Sequence, residues 1–213
     1  MKDQRIKYIL GTVLGLLLIY FTYLMTLITL QYVPINYEVA FLALKEEQIA
    51  LDYYKVSFFT HVYTSLFTLI IGGFQFVKYI RINKPKVHRL LGKSYTFLIL
   101  FLAAPSGLVM AIHANGGTIA KVSFVFQALL WFLFTLNGWR TAIRKKWYQH
   151  HAWMILSYAM TLSAVSLRLI KWILVNTLAP PPMDTYRFVS WAGWVVNLII
   201  AGIIIQRLRT RHR

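Results

Sequence analysis

The sequence predicts an all-α polytopic membrane protein, a bundle of six transmembrane helices with the N-terminus and C-terminus both cytoplasmic. Three observations carry that expectation. Hydrophobic residues fill 58% of the 213 positions, only 14% are charged, and mean hydropathy is +0.57; a soluble domain of this length needs more polar surface to cover its core. The apolar residues fall into six runs, each near the roughly 20 residues that a spanning helix requires. Lys and Arg gather in short blocks between those runs, the pattern of loops facing anionic lipid.

The first run, at about 8–30, lacks a small-residue cleavage site after a short apolar core, so it reads as a retained helix rather than a leader. The others lie at about 57–79, 93–113, 120–139, 151–176 and 187–206. The breaks between them have chemical causes. Asn115-Gly116-Gly117 is a turn, Gly138 precedes a basic run, and Pro180-Pro181-Pro182 cannot continue a helix. No long polar linker interrupts the chain, so 1–213 reads as a single membrane domain. The longest outer segment, about 31–56, mixes apolar and charged residues and reads as either a surface-lying helix or an ordered loop.

Charge sets the expected orientation. A cytoplasmic N-terminus puts inside Lys2, Arg5 and Lys7, the blocks Lys78–Lys93 and Arg140–Lys146, and the tail from Arg207 to Arg213. Those segments hold 17 of the 23 basic residues and only Asp3 of the six acids, or +16 inside against +1 outside. The net charge of +17 is therefore distributed over four short segments. That dispersal argues for the lipid bilayer as partner and against nucleic acid. With no Cys, disulfides, thiolate metal sites and Cys-anchored haem are excluded.

Ionisable groups in or at the ends of spans are the natural functional candidates. In the second span His61, Ser65, Thr68, Gly72 and Gln75 repeat at helical spacing and share one face, which must look into the bundle. That face reads equally as a packing seam or a ligand-contacting surface. In the third, His88 and His113 share a face but lie about 37 Å apart along the axis, and Pro105-Ser106-Gly107 should kink or loosen the helix. The fifth opens with His150-His151 and carries His150, Met154, Ser157, Thr161, Ala164 and Arg168 as a second polar-small stripe. Lys171 is expected to snorkel to the interface; Arg168 either snorkels too or faces the bundle, poised for an anion. Asn197 in the sixth span is expected to bond across helices. On this topology His61, His113 and Arg168 fall near the outer face. His88 and His150 fall near the inner face, among Arg89 and Arg140. Gly11-x-x-x-Gly15 in the first span is a close-packing notch of the kind that allows a homo-oligomer or another protein partner. His212 lies in the basic tail and carries no assigned role.

Several stretches carry a resemblance. They are His61 followed by Gly72-Gly73-Phe74-Gln75-Phe76; Pro85-x-x-His88-Arg89-x-x-Gly92-x-x-Tyr95; Gly107-Leu108 and Gly116-Gly117; His150-x-x-Trp153-Met154-Ile155-x-Ser157-Tyr158-Ala159-Met160-Thr161; Leu167-Arg168-Leu169; and Trp194-x-x-Asn197. Over about residues 57–200 the combination resembles a prokaryotic membrane-protein family, domain of unknown function 2306. The resemblance implies a bacterial cytoplasmic-membrane protein and no established activity. His61, His88, His150 and Arg168 stand at matching positions. His151 falls where the family leads one to expect Arg, and Gly202 where it leads one to expect an acid, which puts any mechanism needing a carboxylate in the sixth span in doubt.

Three functions stay open at this point. The first is a non-catalytic membrane component for assembly, sensing or partner binding, with the polar stripes as packing seams. The second is a membrane redox protein holding b-type haem between paired histidines, drawn from His61, His113, His88 and His150. The third is a small-molecule transporter or binder with an outer His61/Arg168 site, to which Gln75 and Asn197 would add polar contacts. No catalytic residue is assigned, since no phosphate loop, HExxH motif or nucleophile elbow is present. A metal set stays unknown, because histidines would need an outer-loop carboxylate to complete it.

Overall fold

The computed structural model describes residues 2–210, and these form helices with no strand among them. Side chains of Lys2, Asp3 and Lys7, and all of Arg211, His212 and Arg213, which the sequence reading also used, lie outside the described residues. Five helices are long and apolar enough to cross a membrane, and a bent pair adds a sixth. They are α1 (Lys2–Leu30), α3 (Asp52–Gln75), α5 (Pro85–Phe97) continuing into α6 (Ala104–Ile112), α7 (Gly117–Ile143), the pair α8 (Trp147–Thr161) and α9 (Ser163–Thr177), and α10 (Pro182–Thr210). Two short helices, α2 (Glu46–Ile49) and α4 (Lys78–Asn83), occupy connections.

The chain comprises two compact units, residues 1–46 and 47–213. In the first, α1 is a single unbroken helix whose Thr26 and Thr29 hydroxyls donate back to Thr22 O and Met25 O at 2.8 and 2.9 Å, so neither needs a partner from outside. A Cβ added at Gly11 or Gly15 would meet nothing within 4 Å. After α1 the chain is mostly irregular: the segment expected to be a surface helix or loop holds a 3-10 turn at Leu42–Leu44 and the single turn α2.

The second unit is the bundle proper. Its apolar core gathers Tyr95, Ile99, Ala103 and Ala104 with Trp131, Tyr158, Met160 and Trp194, from the third to the sixth spans. Two spans depart from straight α-geometry. Between α5 and α6 the backbone widens into a π segment, Leu98–Ala103, just ahead of Pro105. Proline supplies no N–H to the preceding turn, and the π widening is how this helix absorbs the loss without breaking. The fifth span, read from sequence as continuous, bends by 44° between α8 and α9. Neither Gly nor Pro is present there; the bend falls at Thr161-Leu162-Ser163. Leu162 N–H still reaches Tyr158 O at 2.9 Å, but the amide of Val165 turns to Leu162 O at 3.0 Å, the carbonyl that already takes the ordinary helical bond from Ser166 at 3.0 Å. Beyond the bend α9 packs chiefly on α10, where Gly193 lies against Leu167: an added Cβ would stand 2.8 Å from its Cβ and 3.1 Å from its Cα.

Candidate functional site

α3 starts at Asp52, earlier than the sequence suggested, and stops at Gln75, with Val77 extended. An acid in the first turn suits the positive end of the helix dipole. The shift matters for His61. At 1.5 Å per residue α3 is ~36 Å long and His61 stands ~4 Å from its middle, farther from the end of the helix than the expected span bounds imply. Its Nδ1–H donates to Ala103 O at 2.8 Å, at the end of the π segment, so Nε2 is the acceptor, 3.4 Å from Ser65 Oγ. The ring fits against Gly107, where an added Cβ would stand 2.8 Å from Cε1. It also lies edge-on to Trp131, with centroids 6.4 Å apart.

Trp131, within ~2 Å of the middle of α7, opens a buried hydrogen-bond network. Its indole N–H donates to Thr161 Oγ1 at 3.1 Å. Tyr95 OH lies 2.8 Å from Thr161 Oγ1 and 3.0 Å from Ser157 Oγ. Ser157 Oγ is 2.7 Å from Thr135 Oγ1, which donates to Trp131 O at 2.7 Å. Each hydroxyl has one proton to give, an indole only donates and a carbonyl only accepts. Thr135 gives its proton to the carbonyl, so Ser157 donates to Thr135, while the Thr161 proton has two acceptors in reach, Tyr95 OH and Ser157 O at 3.2 Å. The contacts run from Trp131 through Thr161, Tyr95, Ser157 and Thr135 back to the carbonyl of Trp131. The loop closes on the residue where it began. Beside it Tyr158 OH donates to Leu69 O at 3.2 Å. Gly72 makes room for both tyrosines; a Cβ there would stand 2.5 Å from the Tyr158 ring and 2.8 Å from that of Tyr95. Ser157 and Thr161 were visible in sequence as members of a polar stripe, and Tyr95 as a motif residue. Trp131 and Thr135 were missed, although their i, i+4 spacing in an apolar span was the available signal.

Asn197 closes the bend in the fifth span. Its amide donates to Ala159 O at 3.0 Å while its oxygen accepts from Ser166 at 2.8 Å, and Ser163 donates to Met160 O at 2.6 Å. Two carbonyls ahead of the bend thus gain side-chain donors. Arg168, on α9, is exposed and donates to Ala164 O at 2.9 Å.

The four histidines do not assemble into one cluster. His113 caps α6 beside the first turn of α3, with Nε2 3.1 Å from Tyr53 OH and its ring edge-on to Tyr54. Tyr53 precedes His61 by eight residues, so His61 and His113 are about 12 Å apart along α3 rather than paired. At the other end stand His88, in the first turn of α5, and His150, in the first turn of α8. Gln75, buried at the end of α3, is oriented so that Nε2 donates to His88 O and Nδ1 at 3.2 and 3.1 Å while Oε1 accepts from Gly92 N at 3.3 Å. His150 Nδ1–H donates to Gly138 O at 2.9 Å. No group of three or more His, Asp or Glu capable of holding a metal occurs among the described residues.

Crossing helices with inward polar groups and glycine notches define a multi-pass α-helical membrane protein. The chain belongs to the family described as predicted membrane protein (DUF2306), whose pattern matches residues 58–205. No curated protein and no solved structure matches the chain. The matched region lies within the second unit and includes every site residue named above except Tyr53 and Tyr54. The His151 ring centroid lies 6.5 Å from that of Phe76, and Gly202 has open space where a Cβ would stand.

Proposed function

We propose that this chain is a non-catalytic component of the bacterial cytoplasmic membrane, serving assembly, sensing or partner binding, with both termini in the cytoplasm. One observation supports this reading above the others: the polar side chains inside the bundle are bonded to one another or to backbone carbonyls, of their own span or of a neighbour. Among the described residues no buried side-chain nitrogen or oxygen lacks a hydrogen-bond partner. A centre built this way specifies which helix meets which, the use for which buried polar groups are best attested. The deciding experiment is complementation of a deletion strain. Variants His61→Ala, His88→Ala and His150→Ala should each retain activity in proportion to the folded protein recovered. Full folding with complete loss of activity in any one of them would sink the reading and put chemistry at that histidine.

A second reading, a small-molecule binder at His61 and Arg168, is favoured by the bend between α8 and α9. Interrupted spans are where membrane binding sites tend to form, and a cation on such a span is costly unless it has a purpose. Thermal stabilisation by a small anionic ligand should then vanish in Arg168→Ala. Stabilisation that survives the substitution would remove Arg168 from the site.

A further inference from the structure

We propose that a cavity between α8 and the last turns of α10 takes one acyl chain of an anionic phospholipid drawn from the surrounding bilayer. Its volume is about 180 Å³, and its walls are Trp147, Tyr148, His151 and Ala152 from α8 with Ile205 and Leu208 from α10. Helical spacing explains why these residues meet. Positions 147, 148, 151 and 152 share one face of α8, and 205 and 208 follow an i, i+3 ridge on α10. The α10 wall is held by packing: Ile205 and Leu208 rest against a buried cluster of Ile155, Ala159 and Ala201. The α8 wall is held by ring contacts. Trp147 lies edge-on to His150, with centroids 6.4 Å apart, and His150 is tied to Gly138 O at 2.9 Å. The His151 ring is met by Phe76, from the end of α3, with centroids 6.5 Å apart.

Size and lining select the ligand. A helix of a partner protein is roughly 10 Å across and cannot enter such a cavity. A polar solute would give up its hydration against Ala152, Ile205 and Leu208, whose side chains offer no hydrogen bond in return. A single hydrocarbon chain meets both limits. Trp147, exposed by 64%, and Tyr148 stand at the mouth, and amphipathic rings favour the boundary between acyl chains and head groups. Charge then selects the head group. Lys146 immediately precedes Trp147, while Arg207 and Arg209 flank Leu208, one to either side of its ridge, and all three are exposed. From Tyr53 onward the sole acid in the sequence is Asp184, in the first turn of α10 and ~36 Å from Leu208 along the axis. The cavity thus lies in a basic neighbourhood with no carboxylate near it along α8 or α10, where a phosphate gains from each cation.

The test is fluorescence quenching of the full chain in phosphatidylcholine nanodiscs that carry a minor fraction of lipid brominated along its acyl chains. Emission from Trp147 is taken as the difference from the Trp147→Phe variant. Brominated phosphatidylglycerol should quench it at a roughly tenfold lower fraction than brominated phosphatidylcholine, since each cation near the surface is worth about fivefold in affinity for an anionic lipid. Arg207→Gln/Arg209→Gln, both exposed side chains, should remove that preference. Ala152→Leu places its added atoms in the cavity and should abolish the selective quenching without lowering the lipid-free melting temperature. Leu208→Phe fills the cavity from α10, and carries the test if Ala152→Leu does not fold. Selective quenching that persists in a folded, filled variant would overturn the cavity as the site. Equal quenching by the two brominated lipids in the unaltered chain would overturn the proposal and leave Trp147 an ordinary interfacial aromatic. Neither outcome bears on whether the chain is catalytic, so this site and the proposed function stand or fall separately.

Discussion

Tyr95 shows what a single side chain does in this bundle. It is fully buried, and its hydroxyl is the middle member of the five-bond loop. Tyr95→Phe removes the oxygen but keeps the ring, so Ser157 Oγ loses its Tyr95 partner and Thr161 is left with only the longer bond to Ser157 O at 3.2 Å. Stability should fall by about 1–3 kcal/mol, the usual cost of stranding a buried polar group, with values near the low end within a membrane. Unfolding in mixed micelles measures it, and a change under about 0.3 kcal/mol would mean the loop is not formed as described. Gly72→Ala probes packing at the same place. The added methyl must displace two buried tyrosine rings, so a loss of about 1–3 kcal/mol is expected in the same assay. Gly72, Gln75 and Tyr95 stood out in the sequence as motif residues. Tyr158 and Thr161 stood out too, but not as their partners, because they reach them from a span more than sixty positions away, and spacing in one helix says nothing about the neighbour it meets.

At the level of helices, the interrupted fifth span is the least legible element. Composition gave an apolar run of the right length, and the usual breakers are absent. The cause lies in another helix: Asn197 on α10 supplies the donor that lets Ala159 O leave the α-helical ladder. Asn197→Leu should therefore either straighten the span or destabilise it. Electron-paramagnetic-resonance distances between spin labels at Ala152 and Asn176 should lengthen in the variant, or its unfolding free energy should drop by about 1–3 kcal/mol. An unchanged distance together with unchanged stability would show that the bend has another origin. The third span behaves differently. Pro105 announced an irregularity, and the π segment is its form. The early start of α3 was obscured because Asp52 and Lys55 look like loop residues, although they pair with each other at 2.6 Å on the first turn.

For the whole molecule, the class was readable and the assembly of the centre was not. Hydropathy locates spans because lipid leaves the backbone no other way to bond. It does not fix where a helix starts, which is why His61 was expected near an end and stands near the middle of α3. The proposed orientation rests on charge and has a direct check. Reporter fusions after Lys84, Lys146 and Thr210 should be active only with a cytoplasmic reporter, and those after Asn115 and Ala179 only with a periplasmic one; the reverse pattern would invert the topology. The closed loop at the centre has an electrical consequence. A proton wire must pass its load forward and then reset by turning every group over. Here the circuit starts at an indole that cannot accept and ends at a carbonyl that cannot donate, both belonging to Trp131. A network with such ends has no group to take a proton in and none to pass one on, so it serves to hold helices together rather than to relay protons.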